Sequence, residues 1–378
     1  MSCHRRDKAC GPVAPVDQGG DGSAKHGCVA GLVQQRRLRK LRQIPGRQRP
    51  CLGLRGLCLW RGAECASGAQ GQRPIGADEV AERNRLRAAL QDVATGRPAD
   101  PKLDPQTRVC MLGLAPNAAR LSVRFWHVGE FGDFARNMLA FWEDLRIEGR
   151  PDRPPWNGPP AAWSLLYETA IRVGGKPKAE TIPPLLGGEL MRAVLTGQPL
   201  PRSLLSAVVG RIRADGEVNG RRAAICKAVI NRALKSRDAT HFEKEMIPVS
   251  LDPDNTNPAY RLGRLFAVLE SAQSAALPGL NATIKDRYFA AASATPARVF
   301  PLLIKNATHH LALLKKGGNG GLGHWLEKEL GVIWSGLAPD LPRAFNLEDQ
   351  GRFIAGYYHQ RWTPKQDTDD TPVLEDKE

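Results

Sequence analysis

His309 and His310, and Glu348 and Asp349, are the neighbouring side-chain pairs to weigh first for metal or acid–base chemistry in this 378-residue chain. Neither pair has the spacing such chemistry needs. Adjacent residues on a helix point about 100° apart, so two adjacent histidines cannot easily share one ion and read as surface or contact residues. Glu348 and Asp349 follow Asn346 in NLEDQGRF, which reads as a helix start: Asn346 caps it and the acids favour the macrodipole. H-E-x-x-H, G-x-S-x-G, C-x-x-C, Walker and DFG-like patterns do not occur. No catalytic residue, metal ligand set or cofactor is nominated by these patterns.

What does stand out is a set of basic and amide positions interleaved with aromatics. It comprises Asn117, Arg120 and Arg124; Asn255, Asn257, Tyr260, Arg261 and Arg264; Asn281, Lys285, Arg287 and Tyr288; Lys315 and Lys316; and Tyr357, Tyr358, His359 and Arg361. Such groups suit phosphate contacts and base stacking, and equally suit caps, solvated faces and buried networks. In DNTNPAYRLGRL, Arg261 and Arg264 share a helix face at i, i+3, a spacing that fits a phosphate clamp or a salt bridge. The glycine cluster KKGGNGGLG neither follows a strand nor supplies G-K-[ST], so it reads as a loop between helices.

The formal net charge of +15 favours a polyanionic partner, nucleic acid being the commonest. Residues 1–70 hold 13 Lys and Arg against 4 Asp and Glu. Six cysteines, at 3, 10, 28, 51, 58 and 65, lie in the same stretch, without the paired spacing of a zinc module. Cys110 and Cys226 alone serve the rest, which suits a reducing cytoplasm. Residues 1–75 show no sustained hydrophobic period and are expected to be disordered. No apolar run approaches a membrane span, so a soluble, cytoplasmic protein is expected.

From residue 77 the periodicities become regular. Val80, Leu86, Leu90 and Val93 mark a helix; TRVCMLGLAP and ARLSVRFWHVG read as strands able to pair around APNAA. Helices follow in FGDFARNMLAFWEDLRI, PAAWSLLYETAIRV, PPLLGGELMRAVLTG, PRSLLSAVVGRIRADG and GRRAAICKAVINRAL. After the polar connection PVSLDPDNTNPA, a second helical set runs to residue 362, with Thr295-Pro296 opening one helix as N-cap and N1 proline. The fold class is α+β, predominantly α-helical: a small strand-containing segment, then C-terminal helical bundles. The expected organisation is 1–75 disordered, 77–150 an α/β part, 151–245 a helical domain and 246–378 a C-terminal bundle.

Several long strings, LGLAPNAARLSVRFW, IPPLLGGELMRAVLTG, PVSLDPDNTNPAYRLGRLFAVLE and LEDQGRFIAGYYHQR among them, resemble the large subunit of the type I-C CRISPR surveillance complex, the CRISPR-associated Csd family. The resemblance runs over about residues 100–362 in order. It implies a non-catalytic subunit of a crRNA-guided Cascade that binds target DNA, with crRNA-bound backbone subunits and a recruited nuclease-helicase as partners, sequence being read by guide pairing. Members of that family are longer, with an N-terminal domain that carries much of the PAM-reading surface and that residues 1–75 do not resemble. A one-nucleotide shift over residues 17–68 gives a family-like string, which requires a codon ending in TA at Leu38, Leu41 and Leu59. On that reading the N-terminal stretch is out of frame and PAM recognition is not expected of this chain. In the family an internal start makes a separate small subunit, and Met246 is the candidate for it here, the other reading being a plain interior methionine. The alternative is a free-standing helical nucleic-acid-binding protein with a basic N-terminal arm.

Overall fold

In the computed structural model the described residues are 57–61, Ala81, Asn84, Arg85, Ala88, Ala89 and Asp92, and 105–362 apart from 118–119, 150–159, 238–244 and 318–319; for 57–61 and 115–121 the backbone alone is described. The two alternating strings pair as expected. Leu57–Arg61 (β1), Arg108–Asn117 (β2) and Arg120–Glu130 (β3) form an antiparallel sheet in chain order, with Asn117 opposite Arg120 at the hairpin end. The other residues of the 1–75 stretch lie outside the described ones. The β2–β3 register shifts between Gly113 and Leu114, and Gly113 sits opposite Phe125. A Cβ at Gly113 would run into the Phe125 ring, so the missing side chain is what lets the ring lie across the strand.

Ala81, Asn84, Arg85, Ala88, Ala89 and Asp92 are helical, while Val80, Leu86, Leu90 and Val93 lie outside the described residues. Phe131–Leu145 (α1) follows β3 directly, and its first turns close a small core of Ala89, Val109, Met111, Phe125, Phe131, Phe134, Ala135 and Leu195. Farther along, Phe141 and Leu145 enter a second, larger core. The next helix, Ala162–Tyr167 (α2), is shorter than its sequence pattern. Ile171–Val173 instead leads into a two-stranded hairpin, Arg172–Val173 (β4) with Lys176–Pro177 (β5), because Gly174 and Gly175 take φ of 58° and 77° and make the turn.

Leu186–Thr196 (α3), Arg202–Asp215 (α4) and Gly220–Lys235 (α5) come next, the first two stopped by Gly197 and Gly216 in left-handed conformation. After the connection come Pro258–Ala276 (α6), Ile284–Ala292 (α7), Pro296–Lys316 (α8), Gly320–Ser335 (α9) and Leu347–Trp362 (α10). Pro296 opens α8 as expected, although the Thr295 hydroxyl donates to the Ala291 carbonyl instead of capping the helix. The expected glycine loop is shorter than read: Gly320, Gly321 and Gly323 belong to the first turn of α9. There a Cβ on Gly323 would lie 3.1 Å from Leu314 Cβ, so this glycine serves the close approach of α8 and α9.

The larger core runs without a break from Phe141 to Tyr358, across the positions 151 and 246. Its centre is an aromatic cluster: Phe266 meets Phe289, Phe300, Phe353 and Tyr357 edge-on with centroids 5.5–6.4 Å apart. α6 and α10 cross there with backbones in contact. A Cβ on Gly263 would fall on the Phe353 carbonyl, and one on Gly356 on the Tyr260 carbonyl. Both glycines face backbone, which cannot swing aside as a side chain can. Gly356→Ala is therefore expected to destabilise the protein by about 2–4 kcal/mol through forced separation of the helices. Gly331→Ala, where nothing lies within 4 Å of the added Cβ, should be neutral or stabilising by up to about 1 kcal/mol. Urea midpoints of the two variants measure the contrast, and equal midpoints would refute the role given to the crossing.

Candidate nucleic-acid interface

The sequence-selected residues at the start of α6 come together, but around the protein's own backbone. Asn255 accepts the Asn257 amide at 3.0 Å, and Asn257 caps α6 by accepting the amides of Ala259 and Tyr260 at 3.0 and 3.2 Å. Arg261 donates through Nε to the Asn255 carbonyl, its guanidinium lying against Gly336. Arg264 is 2% exposed and donates to Gln360 (2.8 Å), to the Pro253 carbonyl (2.9 Å) and to Glu329 (3.3 Å). The i, i+3 arginine pair thus ties down the 252–257 connection instead of forming an open clamp. Tyr260 is buried, with its hydroxyl 2.8 Å from His359 Nδ1. Tyr357 donates to Glu270, and Tyr358 is buried in the core.

The remaining expected positions are spread over separate places. Asn117 and Arg120 pair at the hairpin end, and Arg124 is half-buried with its Cβ against Gly188. Asn281 and Arg287 are exposed around α7, whereas Lys285 is half-buried and Tyr288 packs on the core. Lys315 pairs with Glu327, and Arg361 lies 3.8 Å from Glu270 and over the Trp362 ring. Asn346 caps α10 by accepting the Asp349 amide at 2.8 Å, as expected; Glu348 takes a two-point contact from Arg202 and Asp349 one from Arg352. Among the described residues no group of three or more His, Cys, Asp or Glu is placed to hold a metal.

Lys316 belongs to a surface that the residue-by-residue reading missed. α8 is 21 residues long and contains no Asp or Glu. With 3.6 residues per turn, Arg298, Lys305 and Lys316 fall within about 20° of one line along it, and the line spans about 27 Å. All three are exposed, and no carboxylate among the described residues pairs with them. His309 lies on the same stripe, with Leu302 (44% exposed) and Leu313 (52% exposed) on its flank. The opposite face carries Phe300, Leu303, Ala307, Leu311 and Leu314 into the core. The signal was available in the sequence as an acid-free helix with cations seven and eighteen positions apart.

Elsewhere Arg136, Arg146, Arg202 and Lys235 each have a carboxylate within 3 Å, while the exposed Lys176, Lys178, Arg213 and Lys328 have none among the described residues but are scattered over separate elements. A cleft of about 560 Å³ between α5 and residues 246–256 mixes Lys227 and Lys235 with Glu143, Asp252 and Asp254. That mixture gives it no net preference for a polyanion. Burial brings Lys227 down to about 8, its ammonium donating to the Asp144 carbonyl at 3.0 Å. Cys226, wholly buried in α5, is pushed up to about 12 by burial, which leaves its thiol unreactive.

A family profile for CRISPR-associated proteins, Cas_Csd1, matches residues 46–363. The chain belongs to the Csd1 family of CRISPR-associated proteins. The matched range opens in the stretch whose frame was in question, well before the residues that carried the resemblance. It takes in every helix of both sets, including the α8 stripe and the α6–α10 crossing. No curated protein matches the chain. No described helix is long and apolar enough to cross a membrane.

His359 gives this Csd1-family chain a stability that depends on pH. Burial lowers it to about 4, with Lys227 and Arg264 acting the same way and a bond to the Val249 backbone opposing them. The native imidazole is thus neutral where an unfolded one, near its ordinary 6.5, takes a proton. Stability is accordingly full above about pH 6.5, falls as pH drops towards 4 and levels off below. The expected loss at pH 5 is about 2 kcal/mol relative to pH 7.5. Urea unfolding at those two values should show this loss in the wild type and its absence in His359→Asn; equal losses would show that the imidazole is not held neutral.

Proposed function

We propose that the chain is a non-catalytic large subunit of a crRNA-guided type I-C Cascade complex, binding target DNA in antiviral defence in the cytoplasm. Its partners are the crRNA-bound backbone subunits, the opened DNA and a recruited nuclease-helicase. Membership of the Csd1 family is the observation that carries the reading. The outward stripe of α8 supports the DNA-binding part of it: unpaired cations in a line, with apolar and imidazole groups alongside, suit phosphates on one edge and unstacked bases on the other. PAM recognition is not assigned to this chain.

The same reading gives Met246 the role of an internal start. The segment from Met246 onward carries the whole aromatic cluster of Phe266, Phe289, Phe300, Phe353 and Tyr357. A separate product would therefore keep its own core centre. It would bare the face of α10 where Gly351 meets Ile230, Leu205 and Cys226. With a C-terminal tag, immunoblotting should show a short band that Met246→Leu removes; a band unaffected by that change, or no short band, would count against the internal start.

DNA binding through α8 is tested by salt dependence. Replacing Arg298, Lys305 and Lys316 with Glu should lower affinity for a 20-mer single strand and reduce the slope of log K against log salt by about 2, three phosphate contacts at 0.7 each. Arg146→Glu, at a cation paired with Glu143, should leave the slope unchanged. An unchanged slope in the triple variant would place the interface elsewhere.

A further inference from the structure

We propose that the acidic segment 363–378 of this same chain docks on the outward stripe of α8 and competes there with nucleic acid. The inference rests on the reading of that stripe as a polyanion site. Residues 363–378 hold six carboxylates against two lysines, in a chain whose formal net charge is +15. Their order is acidic, apolar, acidic: Asp367, Asp369 and Asp370, then Pro372, Val373 and Leu374, then Glu375 and Asp376. The stripe is the complement, with Arg298 and Lys305 towards one end, Lys316 at the other and the exposed Leu302 and Leu313 beside them. An acidic segment with an apolar centre can match both features. The phosphates of a nucleic acid match only the cations, and its bases must supply the apolar contact.

The segment starts from a helix that touches α8, since Phe353 of α10 packs on Phe300 of α8 with centroids 6.4 Å apart. The segment continues from Trp362 at the end of α10, and sixteen residues extend to about 50 Å, against about 27 Å for the stripe. Attachment to the same molecule gives an effective concentration on the order of millimolar, so contacts too weak to hold a free peptide suffice. The consequence is selectivity. A ligand must displace the segment before it meets the cations, and one with many closely spaced phosphates does so more readily than an isolated anion.

The test uses the full chain, with Asp367, Asp369, Asp370 and Asp376 changed to Asn and Glu375 to Gln in one variant, and two probes in low salt: a fluorescein-labelled peptide of residues 363–378 and the single strand (dT)20. The variant should bind (dT)20 about three- to tenfold tighter than the wild type, because its stripe is vacant. It should also bind the labelled peptide, the wild type doing so at least about fivefold more weakly. Adding Lys305→Glu to the variant should abolish peptide binding. Peptide binding that is absent, equal in the two chains or insensitive to Lys305→Glu overturns the docking. The two readings fail separately. A peptide that behaves as described with no binding of (dT)20 leaves the docking standing and removes the nucleic-acid reading, whereas (dT)20 bound equally by both chains with no peptide binding does the reverse.

Discussion

The close crossing of α6 and α10 is the constraint on which the other helices depend. Gly263 and Gly356 each press on a carbonyl of the opposite helix, so the two axes approach as near as backbones allow. That approach places Phe353 and Tyr357 against Phe266, and the cluster then receives Phe289 from α7 and Phe300 from α8. Each added ring packs edge-on against one already fixed. The outward stripe of α8 is therefore aimed by the opposite side of the same helix, whose Phe300 belongs to that cluster.

A second layer of order comes from charges that the fold takes out of water. Arg222, with no exposed surface, meets Asp215 at 2.7 and 2.8 Å and the Glu217 carbonyl at 2.7 Å. Asp144, also buried, accepts from Lys235 at 2.8 Å and lies 3.7 Å from Arg232. A buried charge left without such partners would cost several kcal/mol, so these groups admit few alternative arrangements of α1, α4 and α5. Asn231 adds a paired contact with the backbone of Ile247, donating and accepting at 2.8 Å, and thereby fixes where the 246–257 connection begins. That connection in turn sets the start of α6 and its crossing.

Much of this was legible in the chain. The hairpin around APNAA, the succession of helices, the Asn346 cap and the proline start of α8 follow from local chemistry, which does not depend on what packs nearby. Two stretches departed from that pattern. IRVGGK closes a small hairpin because two successive glycines supply the turn, where the pattern alone allowed the helix to run on. The glycines at the start of α9 looked like a flexible loop because nothing in their vicinity discloses that Leu314 will press on Gly323. The same limit governs the site. DNTNPAYRLGR carries amides, a tyrosine and arginines that fit phosphate contacts, yet Asn257 must cap α6 and Arg264 must satisfy the carbonyls of the connection. A residue type says what a side chain can bond, and only the fold says what reaches it first.

That distinction separates the buried cations of this protein from those on α8. At Arg222, Arg264 and Arg352 the guanidinium is buried, and its donors are turned towards carboxylates and carbonyls of the chain. Such groups stabilise one arrangement of helices and have little left to offer a ligand. On α8 the absence of acids from all 21 residues removes the i, i+3 and i, i+4 partners that a surface helix ordinarily provides, so the outward charges of Arg298, Lys305 and Lys316 stay available. Availability has a cost in solution, since a row of like charges repels itself and attracts any anion. An acidic segment on the same chain offsets both effects without a permanent ion pair. The absence of acids in α8 and their concentration after residue 362 then read as two halves of one charge pattern.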